Sequence, residues 1–327
     1  MLSSGEKFFL VLATGIFLLG ILVNGFIVLV NCIDWVKRKK LPPSDHILIS
    51  LAMSRIGLLC TLVWNSYVIV TSIDVTLQVR ILDIILILTH NSNVWFSTTL
   101  SIFYFLKITN FSNPLFLWMK WRIDRMIFML LWGPLIISFS AGFPILEKRH
   151  YYTGSYFSRV KDRNVSQEAQ VNQSLYILFQ VFFGLMSFIP FTLSTISFSL
   201  LIFSLWRHTR QMQLNAMGSR DPSTEAHVQA MKAVSSFLIL FSLYYMCFYV
   251  NFLAEDDNIL ASMLSTLIML LYPFGHSVIL VLWNSKLRKA ALRVSVLIRC
   301  CPRGSHLQAL WVPLGIIWHF LGGKKSA

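Results

Sequence analysis

Apolar residues gather into seven long runs, at about 8–32, 46–70, 81–107, 126–146, 174–206, 231–253 and 259–283, separated by shorter stretches that hold most of the charge. Each run approaches or exceeds the roughly 20 residues that a helix needs to cross a hydrocarbon core. Lipid offers backbone groups no hydrogen bonds, so each run must satisfy its own, which predicts seven transmembrane helices. The fourth is the weakest, because Trp132, Gly133, Pro134, Gly142 and Pro144 interrupt it; packed membrane bundles tolerate such residues. The polar stretch Gln211 to Glu225, with Asp221-Pro222, reads as a loop. No pair of interrupted segments recurs in the two halves, as inverted-repeat transporters often show. The expected fold is all-α, a seven-helix membrane bundle.

Composition agrees. The 327-residue chain is 56% hydrophobic with a mean hydropathy of +0.65, more than a soluble core absorbs. A formal charge of +14 would suit nucleic acid if it were spread over one surface. It is instead confined to alternate connections. One set holds Lys37, Arg38, Lys39, Lys40, Lys107, Lys120, Arg122, Arg125, Arg207, Arg210, Arg220 and Lys232. The C-terminal segment adds Lys286, Arg288, Lys289, Arg293, Arg299, Arg303, Lys324 and Lys325. The opposite set has Lys7, Arg80, Lys148, Arg149, Arg159, Lys161 and Arg163, and ends in the acidic Glu255-Asp256-Asp257. Twenty cations against seven place the N-terminus outside and the C-terminus in the cytoplasm. The partners implied are membrane lipid, not nucleic acid. With no basic region ahead of the first apolar run, that run reads as a retained helix rather than a cleaved signal peptide.

Three sequons, at Asn110, Asn164 and Asn172, match the N-glycosylation pattern. In this orientation Asn164 lies mid-loop on the outside, Asn172 close to the membrane, and Asn110 on the cytoplasmic side. Glycosylation is therefore expected at Asn164, and secondarily at Asn172. Cys32, Cys60 and Cys247 fall inside apolar runs, so no disulfide framework follows. Cys300 and Cys301, next to basic residues at the membrane edge, suit S-palmitoylation. The eight histidines are scattered, and no helix-spaced zinc pair, phosphate-binding loop, dinucleotide fingerprint or nucleophile elbow occurs. Neither an enzyme nor a metal or cofactor site is indicated.

Arg55 is the most informative single residue. Counted from a bilayer entry near His46, it lies roughly 15 Å deep, close to the midplane. A guanidinium there costs several kcal/mol unless it faces the bundle interior and finds acceptors. No carboxylate lies at matching depth, which leaves Asn24 on the first helix, Ser277 on the seventh, and backbone carbonyls. Such a group is a packing staple, or a switch if its partners change between two states. Toward the outer ends, His90, Asn91, Asn93 and Trp95 on the third helix, Tyr244 and Tyr245 on the sixth and Thr266 on the seventh combine aromatic walls with a few polar groups. A small-molecule pocket needs that mixture, although aromatic residues at helical spacing also serve as plain packing.

Several stretches carry a family resemblance. FYFLKITNFSNP followed by KWRI, near the end of the third run, is similar to the corresponding region of vertebrate type 2 taste receptors, the bitter receptors. LPPSDHILISLAMSR, Ile189-Pro190-Phe191, SFSLLIFSLWRHTRQM, Tyr272-Pro273, HSVIL and Asn284-Ser-Lys-Leu-Arg agree with the same family. The match covers about 8–303 and stops after Cys301. The chain is thus expected to comprise a receptor domain over 1–303 and an atypical tail over 304–327, whose apolar piece Leu307 to Leu321 is too short to span.

The resemblance implies a plasma-membrane G-protein-coupled receptor for small bitter compounds, acting through a gustducin-like heterotrimeric G protein, phospholipase C and calcium release. It associates Asn24, Arg55 and Ser277 with a conformational switch. It likens His90, Tyr244 and Thr266 to pocket positions, with His90 where asparagine is common. On the same reading Tyr104, Lys107, Arg125, His208, His227 and Lys232 face the G protein. A polytopic transporter or channel passing substrate by Arg55 is the alternative from topology alone, and another class of chemosensory seven-helix receptor is a second.

Overall fold

The computed structural model describes residues 3–71, 76–109, 112–133, 135–136, 166–215, 222–253 and 259–300. The elements are α1 (Ser4–Arg38), α2 (Pro43–Thr71), α3 (Thr76–Ile108), the short α4 (Pro114–Trp121), α5 (helical over 123–133 and again at 135–136), α6 (Ser166–Asn215), α7 (Pro222–Leu253), α8 (Ile259–Trp283) and α9 (Ser285–Cys300). No strand occurs among the described residues. Five of these helices are long and apolar enough to cross a membrane by length and composition. In α3, His90, Asn91, Asn93, Ser97, Thr98, Thr99 and Ser101 dilute the apolar run, and all of them are buried.

Every predicted apolar run is helical where it is described, and most helices outrun their windows. The fifth run, expected over 174–206, belongs to a helix that begins at Ser166 and ends at Asn215. The expected loop from Gln211 to Glu225 shrinks accordingly, because the polar ends of a helix gain water as partners and continue the spiral past the lipid. Two helices fall outside the apolar windows. In α4 the Asn113 side chain caps the first turn by accepting from the Leu115 amide at 2.9 Å, with Pro114 as the first helical residue. Its Lys120 ammonium donates to the Thr109 carbonyl at 3.0 Å, which ties α4 back to the end of α3.

α1 opens with a reciprocal cap. The Ser3 amide donates to Glu6 Oε2 at 2.7 Å, and the Glu6 amide to Ser3 Oγ at 3.2 Å. It closes at Lys39, whose φ of 52° lies in the left-handed region and whose amide returns to the Trp35 carbonyl.

The helices close into a ring in which α1 packs on α2, α2 on α3, α3 on α6, α6 on α7, α7 on α8 and α8 on α1, with α2 also meeting α8 across the middle. α5 lies beside α2, with Phe128 edge-on to His46. One apolar cluster gathers Phe198, Phe237, Phe241, Tyr244 and Tyr272 from α6, α7 and α8 against Leu58 and Leu59 of α2. A second joins Ile27, Leu48, Phe103, Ile127, Val278 and Leu287. Where α2 passes α3, a Cβ on Gly57 would lie 2.8 Å from Thr89 Cγ2. Thr89 is held by its own hydroxyl on the Ile85 carbonyl, so this contact has little room to give.

The outer surface carries Phe8, Val11, Leu18, Ile239, Leu243, Met246, Val250, Leu260 and Leu264 in exposed positions, while Asn24, Arg55, Asn93, His276 and Ser277 are inside. That inversion of the water-soluble pattern is what a lipid solvent demands.

Candidate functional site

Arg55 is completely buried at the point where α2 meets both α3 and α8. Its Nη1 donates to Ser277 Oγ at 2.9 Å and its Nε to Asn93 Oδ1 at 3.4 Å. Nη2 meets His276 Nδ1, and the guanidinium carbon lies 5.6 Å from the centre of the Tyr272 ring. Ser277 Oγ donates onward to Asn24 Oδ1 at 2.7 Å, and Asn24 Nδ2 donates to the Gly20 carbonyl at 2.8 Å. A single polar chain therefore links α1, α2, α3 and α8.

The structure brings Asn24, Arg55 and Ser277 together, but not as the sequence suggested. Asn24 is reached through Ser277 rather than by the guanidinium directly. Among the described residues no backbone carbonyl accepts from Arg55, and Asn93, His276 and Tyr272 stand in those places. The sequence carried one signal for His276, its position beside Ser277. For Asn93, read there as a pocket residue, only the packing of α2 on α3 reveals the partner.

One helical turn from Asn93 along α3, His90 Nδ1 and the Tyr244 hydroxyl lie 2.6 Å apart. The His90 ring stacks on Phe248 with centroids 3.4 Å apart, and Tyr244 stacks on Tyr272 at 4.6 Å. Tyr272 in turn shares a 2.9 Å hydrogen bond with Ser97. Of the side chains expected to line a cavity, His90 and Tyr244 thus touch each other, and with Tyr272 they form a continuous stack from His90 down to Arg55. Tyr245 takes a different direction. Successive residues on a helix point about 100° apart, and Tyr245 stacks on Phe191 of α6 at 4.1 Å. Thr266 is buried and donates to the Ser262 carbonyl of its own helix at 2.7 Å. Asn91 accepts from Ser187 of α6 at 3.1 Å.

At the opposite end of α3, Tyr104 is partly buried against both apolar clusters, and Lys107 is exposed, with its ammonium 6.0 Å from the Phe103 ring. Arg125 and Lys232 are exposed as well. The side chains of His208, His227, Asn172 and Cys300 lie outside the described residues, although the backbone at each is helical, which places Asn172 within α6. Asn110, Asn164, Cys301 and the 304–327 tail lie outside them altogether.

Sequence reasoning missed a second polar node. The Lys286 ammonium, at the start of α9, donates to Asn31 Oδ1 at 2.8 Å and Asp45 Oδ2 at 2.6 Å, and pairs with Asp34 at 2.9 Å. Three acceptors use all three donors of a lysine. The node ties α1, α2 and α9 beside a cavity of about 230 Å³. Lys286 was read only as one more basic residue, because no spacing rule links positions so distant in the chain.

Comparison with known proteins settles what this bundle is. A family profile described as Taste receptor protein (TAS2R) matches residues 1–299. The chain belongs to the type 2 taste receptor family. Taste receptor type 2 member 7 of Macaca mulatta is 46% identical over 292 residues, covering 87% of this chain and 91% of that protein. The Rattus norvegicus protein of the same name is 44% identical over 297 residues, with 88% and 94% covered. The Mus musculus protein is 42% identical over 306 residues, with 90% and 96% covered. Type 2 taste receptors are seven-helix membrane proteins of the G-protein-coupled class, so this chain is a multi-pass chemosensory receptor and not an enzyme.

Proposed function

We propose that this taste receptor resides in the plasma membrane, with its N-terminus outside, and responds to small bitter compounds. The observation that carries the reading is the unbroken stack from His90 and Tyr244 to Tyr272 and Arg55, found in a chain related over most of its length to type 2 taste receptors. A compound entering among α3, α7 and α8 exchanges contacts with His90, Asn93, Tyr244, Tyr245 and Thr266. Because Tyr244 leans on Tyr272 and Tyr272 on Arg55, a ligand that moves the first changes the surroundings of the last. It shifts the receptor between two states only by its differential affinity for them.

The polar chain of Asn24, Arg55 and Ser277 is the element whose partners differ between the states. The receptor domain spans 1–303. Opening of its basic end exposes Tyr104, Lys107, Arg125, His208, His227 and Lys232 to a gustducin-like heterotrimeric G protein, and phospholipase C and calcium release follow. Asn164, and secondarily Asn172, carry glycans, and Cys300 and Cys301 carry palmitate. Cells that supply such a G protein should give a calcium response to at least one member of a broad bitter panel. Silence across the panel, with the receptor demonstrably at the surface, overturns the proposal. Tyr244→Ala should change sensitivity for some agonists and not others.

A further inference from the structure

We propose that the floor of this ligand site selects compounds bearing an anionic group, carboxylates above all, and disfavours ammonium compounds. The inference rests on the ligand reading just given and names its chemical class.

The floor is Asn93, one turn along α3 from the His90 and Tyr244 pair, together with Arg55. All the chemistry there has one sign. A guanidinium offers five N–H donors, and among the described residues those of Arg55 meet uncharged side chains, on Ser277, Asn93, His276 and Tyr272. No carboxylate pairs with it among the described residues. The amide of Asn93 is fully buried, its oxygen is taken by Arg55, and its Nδ2 makes no hydrogen bond of normal length and angle, with only the Tyr244 and Tyr272 hydroxyls beside it. A buried cation without a counter-ion among the described residues and a buried donor with no well-formed hydrogen bond sit side by side. Both are costly in a low-dielectric interior, and both are relieved by the same thing, an acceptor that carries negative charge.

An ammonium group at the same depth meets the opposite conditions. It faces the Arg55 charge with no ion-paired carboxylate there among the described residues, and like charges a few ångströms apart repel strongly where water is excluded. The single carboxylate of α3, Asp83, is seven residues from His90 and on the far side of it from Asn93, about 10 Å along the axis. A ligand that exchanges the His90 and Tyr244 hydrogen bond for its own needs only about one further turn, roughly 5 Å, to reach the floor.

The test uses the full chain in lipid nanodiscs and reads ligand binding as a concentration-dependent thermal shift. The probes are three matched pairs: benzoate and benzylamine, 2-naphthoate and 2-naphthylmethylamine, biphenyl-4-carboxylate and biphenyl-4-methylamine. At least one acid should bind about tenfold or more tightly than its amine, the size expected for a hydrogen bond to a charged group. Asn93→Asp, which sets a carboxylate against Arg55, should abolish the preference. Asn93→Leu, which removes the Nδ2 donor, should weaken the acid by about tenfold.

The inference fails if no acid exceeds its amine in the unaltered chain, a comparison that does not depend on any variant folding. It fails equally if Asn93→Asp keeps a cooperative thermal transition and leaves the acid preference intact. Signalling is not read, so silence of the surface-expressed receptor across the bitter panel sinks the proposed signalling reading and leaves an acid preference in binding standing. Activation by bitter compounds with no acid preference does the reverse.

Discussion

Arg55 shows how one residue constrains a whole interior. A cation at this depth is tolerated only with acceptors around it, and charge and position in the second apolar run made that demand visible from the chain alone. Which acceptors answer depends on helix rotation, and rotation placed Ser277, Asn93 and His276 within reach while leaving Asn24 one bond further out. Ser277 is the joint of this chain, accepting from Arg55 and donating to Asn24. Ser277→Ala should lower stability by about 1–3 kcal/mol, since it leaves buried partners unsatisfied beside a charge. In a double-mutant cycle read by thermal unfolding in detergent, Ser277→Ala and Asn24→Ala should cost less together than the sum of the two. Strict additivity would mean that the two side chains act separately. Tyr244 and Tyr245 teach the same lesson, being adjacent in sequence yet divided between the His90 stack and the α6 wall.

Among the elements, α9, like α4, has a placement that the apolar pattern did not anticipate. Its residues Ser285–Cys300 are too polar to register as a span, and its helical form depends on what it rests against. Leu287 is buried in the second apolar cluster, and Lys286 reaches across to α1 and α2. Lys286→Met should loosen α9, raising amide hydrogen exchange over 285–300 by about tenfold or more, while Lys289→Met, at an exposed position, should leave it unchanged. Equal protection in both variants would show that Leu287 holds α9 by itself. α3 makes the complementary point. Its many hydroxyl and amide groups weaken it as a membrane span, yet they are accommodated because Thr98 and Thr99 donate to their own helix and Thr98, Asn91 and Ser97 also bond across to neighbours.

For the molecule as a whole, orientation is the property on which every functional surface depends. Mild glycosidase treatment should shift the mobility of the unaltered chain, and Asn164→Gln should abolish most of that shift. A glycan at Asn110, or a tag after Ala327 accessible from outside intact cells, would invert the topology and with it the proposed ligand and G-protein faces. The seven runs, their helical form, the gathering of the charges into alternate connections and the requirement that Arg55 be enclosed were all determined by the sequence itself, because hydrophobic length and charge are local properties that lipid reads directly. Even the family could be named from short stretches such as FYFLKITNFSNP. Only the tertiary structure decided that Asn93 belongs to Arg55, that Tyr245 turns to α6, and that Lys286 joins Asp34 and Asp45. Each of these pairings joins residues tens to hundreds of positions apart, and which of them meet depends on the rotation of every helix about its axis, a quantity that packing sets and no single run of residues contains.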